Sequence, residues 1–212
     1  MGTTKTRIPP RKTMQLFGVC QQSYGGGAAC STIATIWAAA LADGACADVG
    51  PYVAVDRFRI FMKFACQLWR KANAGVQSAH EVLGMYPIFN GYESESFAFA
   101  LNCSHDPARP PLKTALTELL REARKSKGAF GGIATAQGSS WAFGHVINEG
   151  WILLDSHNTT AGLTHCADAE SLVASIIHKC LNDLPCFVDI TTVWRKTPLA
   201  GGGPTDLGRS KS

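Results

Sequence analysis

The chain has 212 residues, of which 46% are hydrophobic and 17% charged, with 20 Lys and Arg against 16 Asp and Glu. At about 150 residues per domain this is one domain with short appendages; a multi-domain machine is excluded, and the apolar fraction excludes disorder as the global state. The excess of base sits at the ends: residues 1–13 and 195–212 hold eight Lys and Arg against Asp206 alone, with no aromatic residues interleaved at a binding motif, so solvated tails are expected rather than a nucleic-acid surface.

Residues 1–13 contain Pro9-Pro10 and no periodicity, and residues 198–212 are rich in Gly and polar residues, so flexible ends are expected around a domain at 14–197. After the run Gly25-Gly26-Gly27, residues Ile33, Ile36, Trp37, Ala40 and Leu41 fall at helical spacing until Gly44. A second amphipathic helix is predicted over 55–72, a short third over 77–84, and a fourth after Pro110-Pro111, with Leu112, Leu116, Leu119 and Leu120 on one face. From Ala129 the pattern changes to strands: Phe130 to Ala136, Trp141 to Asn148 and Trp151 to Ser156, divided by Gly138-Ser139-Ser140 and by a hairpin-type turn at Glu149-Gly150. A helix over Asp168 to Asn182 and a strand over Phe187 to Trp194 complete an α+β order, helices first and antiparallel sheet after.

Eight cysteines, at 20, 30, 46, 66, 103, 166, 180 and 186, invite a disulfide reading. The polar, basic start of the chain has no apolar signal core, and no apolar run approaches a membrane span, so reduced thiols in an intracellular compartment are expected, with no membrane partner. There is no Cys-x-x-Cys pair, phosphate-binding loop or ligand cluster at metal spacing, so neither metal nor cofactor is expected.

Cys30 stands where a nucleophile belongs: at a helix start, where unpaired N–H groups and the helix dipole favour a thiolate, behind glycines that let backbone approach a substrate. Read alone, it is equally a small buried hydrophobe. Gln21 and Gln22 lie upstream, and either can offer an amide N–H to an oxyanion. For a base, Asp155 and His157 are two apart along a strand and share a face, which suits a carboxylate that orients an imidazole. His145 competes. A two-residue turn at Glu149-Gly150 puts it opposite Leu154, off the face of Asp155; one more loop residue brings it onto that face, and the sequence leaves the register open.

The glutamine-containing, glycine-rich approach to Cys30, followed by a Gly- and Ala-rich strand and then Leu153-Leu154-Asp155-Ser156-His157, resembles the amino-terminal deubiquitinating protease domain of herpesvirus large tegument proteins. That resemblance implies a papain-like fold, with Cys30 as nucleophile, His157 as base, Asp155 as its orienter and Gln21 or Gln22 in the oxyanion hole. It further implies hydrolysis after a ubiquitin-type C-terminus through a thioester. Ubiquitin or ubiquitin-like conjugates would be the partners of a monomeric domain in host cytoplasm, nucleus or virion tegument. Two rivals stand beside it: an acyltransferase or deamidase using Cys30, His145 and Asp155, and a non-enzymatic binding module in which Cys30 is core.

Overall fold

Short strands rich in small, β-branched and aromatic residues pair into one seven-stranded sheet, every neighbouring pair antiparallel. The computed structural model describes residues 12–15, 20–43, 51–72, 75, 77–101, 112–127, 130–146, 150–157, 162–180 and 186–196. In chain order the elements are β1 (Lys12–Gln15), α1 (Cys30–Ala42), α2 (Pro51–Lys71), α3 (Ala79–Met85), β2 (Tyr92–Leu101), α4 (Leu112–Lys127), β3 (Phe130–Ala136), β4 (Ser139–Val146), β5 (Gly150–Asp155), β6 (Gly162–Cys166), α5 (Ala169–Cys180) and β7 (Cys186–Arg195). Across the sheet the order is β1-β6-β5-β4-β3-β7-β2, with single 3₁₀ turns at Gln21–Tyr24 and Pro87–Phe89. Among the described residues no helix is long and apolar enough to cross a membrane.

The two faces of the sheet build two cores. Ile133, Ala142, Ile152, Leu154 and Val193 face α1. Their neighbours along the same strands, Ala134, Phe143, Trp151, Leu153 and Ile190, face the other way and meet Leu116 and Leu120 of α4 and Leu172 and Ile176 of α5. The expected helical first half therefore supplies one face, while α4 and α5 cover the opposite one.

Helix α1 is buried almost all round, because α2 and α3 close over its outer side. Its approach to the sheet is set by Gly131: a Cβ there would lie 1.9 Å from the Ala38 carbonyl oxygen, so only glycine permits this spacing. The polar residues this burial traps are satisfied internally. Ser31 Oγ pairs with Ser140 Oγ at 3.1 Å, Thr35 Oγ1 donates to the Ser31 carbonyl at 2.8 Å, and Thr32 Oγ1 donates to Gln77 Oε1 at 3.2 Å.

The sequence reading differs from the structure in three strands and two turns. Strands β1, β2 and β6 were not expected, and Lys12 and Thr13, assigned to the flexible end, pair with His165 and Thr164. The β3–β4 turn is Gln137-Gly138 alone, with φ of 50° and 74°; Ser139 and Ser140, expected in the turn, belong to β4. At the next hairpin Gly150 is already in β5, paired with Val146, so three residues separate the strands rather than the two-residue Glu149-Gly150 turn. Gly44, Pro110 and Pro111 and the terminal segments 1–11 and 197–212 lie outside the described residues.

Candidate active site

The site forms at one end of α1, where the 3₁₀ turn, the β3–β4 hairpin and the end of β5 converge. Cys30 is the first residue of α1, and the N-cap residue Ala29 makes no side-chain cap, leaving the dipole of the first turn directed at the sulfur. The thiol is buried and donates to the Gly138 carbonyl at 3.6 Å, so the hairpin tip lies directly beside it.

His157 follows the end of β5 by two residues, and Asp155 closes that strand. The Asp155 carboxylate is 5% exposed, and its Oδ1 accepts from the His157 backbone N–H at 2.9 Å and from ring Nδ1 at 2.7 Å. With Nδ1 engaged, the other ring nitrogen is left for Cys30, and thiol and imidazole lie close enough for each to shift the other's proton affinity. The Trp141 ring lies against the imidazole, with centroids 5.7 Å apart.

These contacts set the protonation states. Burial works against the charged imidazole most strongly of all, but the hydrogen bonds to Asp155 and Cys30 and their negative charges overcome it, and His157 is raised to about 9. For Cys30, burial pushes the thiol up; the His157 hydrogen bond and charge, with the backbone N–H groups of Ser140 and Ser31, outweigh that and bring it below the ordinary thiol value. Both shifts favour an imidazolium beside a thiolate over the neutral pair. Cys66 shows the contrary case: burial outweighs the nearby Arg70 charge and pushes that thiol up to about 11.

Gln21 and Gln22 part company in the 3₁₀ turn. Gln21 is 2% exposed, its Oε1 accepting from Ser156 Oγ and its Nε2 donating to the Gly27 carbonyl, each at 3.2 Å, whereas Gln22 is exposed. Gly26 makes this packing possible, since a Cβ there would lie 2.5 Å from Cys66 Sγ on α2.

His145 is not brought to the site. It pairs with Trp151 across β4 and β5, which puts it on the face of Asp155 but four residues along the strand from the position opposite that carboxylate, about 13 Å away at strand spacing. Its ring packs on Trp151 with centroids 5.1 Å apart, and burial, then the Arg124 charge, lower its proton affinity. Phe143 and Trp151, on the strands that lead to Asp155, are core residues. The sequence reading had no place for Lys179, whose ammonium bonds Asp155 Oδ2 from the last turn of α5. Nor did it foresee Gly138 and Ser140 beside the thiol.

No protein-family model and no curated protein matches this chain in sequence. A solved structure matches its fold. The ubiquitin-specific protease encoded by a murine cytomegalovirus tegument protein, crystallised with a ubiquitin-based suicide substrate, aligns with a TM-score of 0.59 over 90% of this chain and 90% of that one, at 13% identity. The chain has the fold of a herpesvirus ubiquitin-specific protease. At that identity the agreement lies in the path of the backbone. Such a fold carries helices and an antiparallel sheet, as the sequence led us to expect, and the resemblance read from two short patches is matched by a structural neighbour spanning nearly the whole domain.

Proposed function

We propose that this chain is a thiol protease that hydrolyses the isopeptide or peptide bond after a ubiquitin-type C-terminus. The observation that carries the reading is the line Cys30, His157, Asp155, in which a buried carboxylate holds the imidazole by Nδ1 and the imidazole lies beside a thiol at a helix N-terminus and lowers its proton affinity. The fold, shared with a ubiquitin-specific protease, supports the choice of substrate.

In this reading the Cys30 thiolate attacks the carbonyl carbon, and the electron pair displaced onto oxygen is held by the Cys30 backbone N–H and by Gln21 Nε2. The Gln21 amide has two N–H groups; one goes to Gly27 and the second serves the oxyanion. As the tetrahedral species collapses, the C–N bond breaks and the imidazolium proton passes to the departing lysine amine, leaving a Cys30 thioester. Neutral His157 then takes a proton from water as that water attacks the thioester; the C–S bond breaks, and the thiolate and a free carboxylate are released. An acyl transfer based on His145 has no comparable support, since that ring lies a strand's length from Asp155 and packs on Trp151.

Ubiquitin carrying a C-terminal vinyl ester tests the reading. A single adduct mapped to Cys30 by mass spectrometry is expected. Absence of an adduct, or labelling only of Cys20 or Cys66, overturns it.

A further inference from the structure

Asp155 is engaged on both oxygens. Oδ1 serves His157, while Oδ2 takes the Lys179 ammonium at 2.5 Å, and the Lys179 side chain is itself only 26% exposed. An orienting carboxylate needs one rotamer and a negative charge; a second cation on its far oxygen fixes the rotamer and spends part of that charge. From α1 it is Cys30 that faces the imidazole, from α5 it is Lys179 that faces the carboxylate, and from β4 it is the uncharged Trp141 ring.

We propose that Lys179 is a positioning residue of the same site: its ammonium pins the Asp155 carboxylate toward His157 and restrains the imidazolium's hold on its proton, so that the proton can be surrendered to the leaving amine. The proposal rests on the assignment of Cys30, His157 and Asp155 above, and its physical basis is direct. Two cations share one carboxylate. A positive charge on one oxygen weakens the hold of that carboxylate on the charged imidazole at the other, and low exposure at the carboxylate keeps water from screening the effect. Without Lys179, the imidazolium would lose a competing cation at Asp155 and become a more reluctant acid, while the carboxylate would lose one of the contacts that fix its rotamer. A surface lysine in the last turn of a helix would ordinarily serve only the helix dipole, and substituting it would leave a distant histidine untouched.

The test reads His157 directly. In Lys179→Met, the NMR titration midpoint of the His157 ring is expected to rise by roughly half a unit to one unit. The kcat for release of a fluorophore from the ubiquitin C-terminus is expected to fall about tenfold to a hundredfold with KM within about twofold, and the alkaline limb of the pH profile should move up with the titration. Lys179→Arg should restore both. Lys179→Gln keeps an N–H donor toward Oδ2 without the charge; it should show the same upward titration with a smaller loss of kcat, and it serves where the Met variant fails to fold. An unchanged or lowered midpoint in both neutral variants, or an unchanged kcat in Lys179→Met, overturns the proposal. Failure of the wild-type protein to act on ubiquitin would instead strike the functional reading, because the titration of His157 is measured without substrate.

Discussion

Gln21 and Ser156 are joined twice: the Gln21 backbone N–H donates to the Ser156 carbonyl at 3.0 Å, and Ser156 Oγ donates to Gln21 Oε1 at 3.2 Å. The second bond decides which end of the buried amide faces the site, because an oxygen occupied by a hydroxyl leaves the nitrogen to point elsewhere. One tripeptide, Asp155-Ser156-His157, therefore orients the base through its first residue and the proposed oxyanion donor through its second.

Ser156→Ala removes the orienting hydroxyl and nothing that touches substrate. We expect kcat to fall about tenfold to a hundredfold with KM nearly unchanged, and Gln21→Ala to cost more, about 10²- to 10³-fold, the usual loss of an oxyanion donor. Steady-state kinetics on ubiquitin with a C-terminal fluorophore measure both. A Ser156→Ala effect confined to KM would show that the amide binds ground-state substrate instead.

The pH dependence follows from the coupled pair. His157 is raised from its ordinary value to about 9, so its contribution to stability is fully present below about 6.5 and is lost as pH rises through 9. Cys30 is lowered, so its contribution is present above the ordinary thiol range and lost as pH falls through its own depressed value. The kcat/KM profile should form a plateau bounded on the acid side by the thiol and on the alkaline side near 9. In Cys30→Ala the His157 midpoint should fall below 9 by NMR, since a hydrogen bond and a negative charge are gone, while activity vanishes and the thermal midpoint moves little, alanine being a good helix former.

Asp155→Asn should lower kcat by roughly 10²- to 10⁴-fold, with the thiol still in place, because the amide neither stabilises the imidazolium nor enforces its tautomer. The variant also strands Lys179 beside a neutral partner in a mostly enclosed site, so a lower thermal midpoint is expected alongside the kinetic loss. Intact turnover would remove Asp155 from the mechanism.

Much of the site was legible because it lies within short sequence windows. Cys30 at a helix start and Asp155-x-His157 where a strand ends are local patterns, although His157 itself lies two residues past β5 rather than on the strand as expected, and the helices and central strands carry strong periodicity. What escaped depends on distant partners. Lys179 reads as an ordinary last-turn cation until α5 is laid across β5. Gln21 and Gln22 are adjacent and chemically identical, and only the packing of the 3₁₀ turn buries one and exposes the other. Strand β2 does alternate over part of its length, with half-buried Tyr92 and Ser94 beside exposed Glu93 and Glu95, but as an edge strand with charged outward positions it lacks the apolar run that marked β3 to β5. Strands β1 and β6, four and five residues long, are too short for any period to register.

Two glycines make a controlled comparison of packing. Gly131→Ala drives a methyl into the Ala38 backbone, and we expect a loss of about 1–3 kcal/mol, a fall in thermal midpoint of several degrees, and slower alkylation of Cys30 as α1 shifts. Gly84→Ala, in α3 with nothing within 4 Å of the added carbon, should be neutral or slightly stabilising. Equal effects in thermal unfolding would show that the close approach of α1 to the sheet carries no energetic weight.

In the proposed reading, the groups that activate the Cys30 thiol lie far along the chain: Ser140 at the hairpin, His157 after β5, and Lys179 behind Asp155. During synthesis, at about 5–20 residues per second, the roughly 150 residues that separate Cys30 from Lys179 take on the order of 10–30 seconds to emerge. Throughout that interval Cys30 is an ordinary thiol with no imidazole to deprotonate it, so a growing chain on the ribosome carries no competent nucleophile. In that reading, reactivity arrives with closure of the sheet rather than with the synthesis of Cys30 itself.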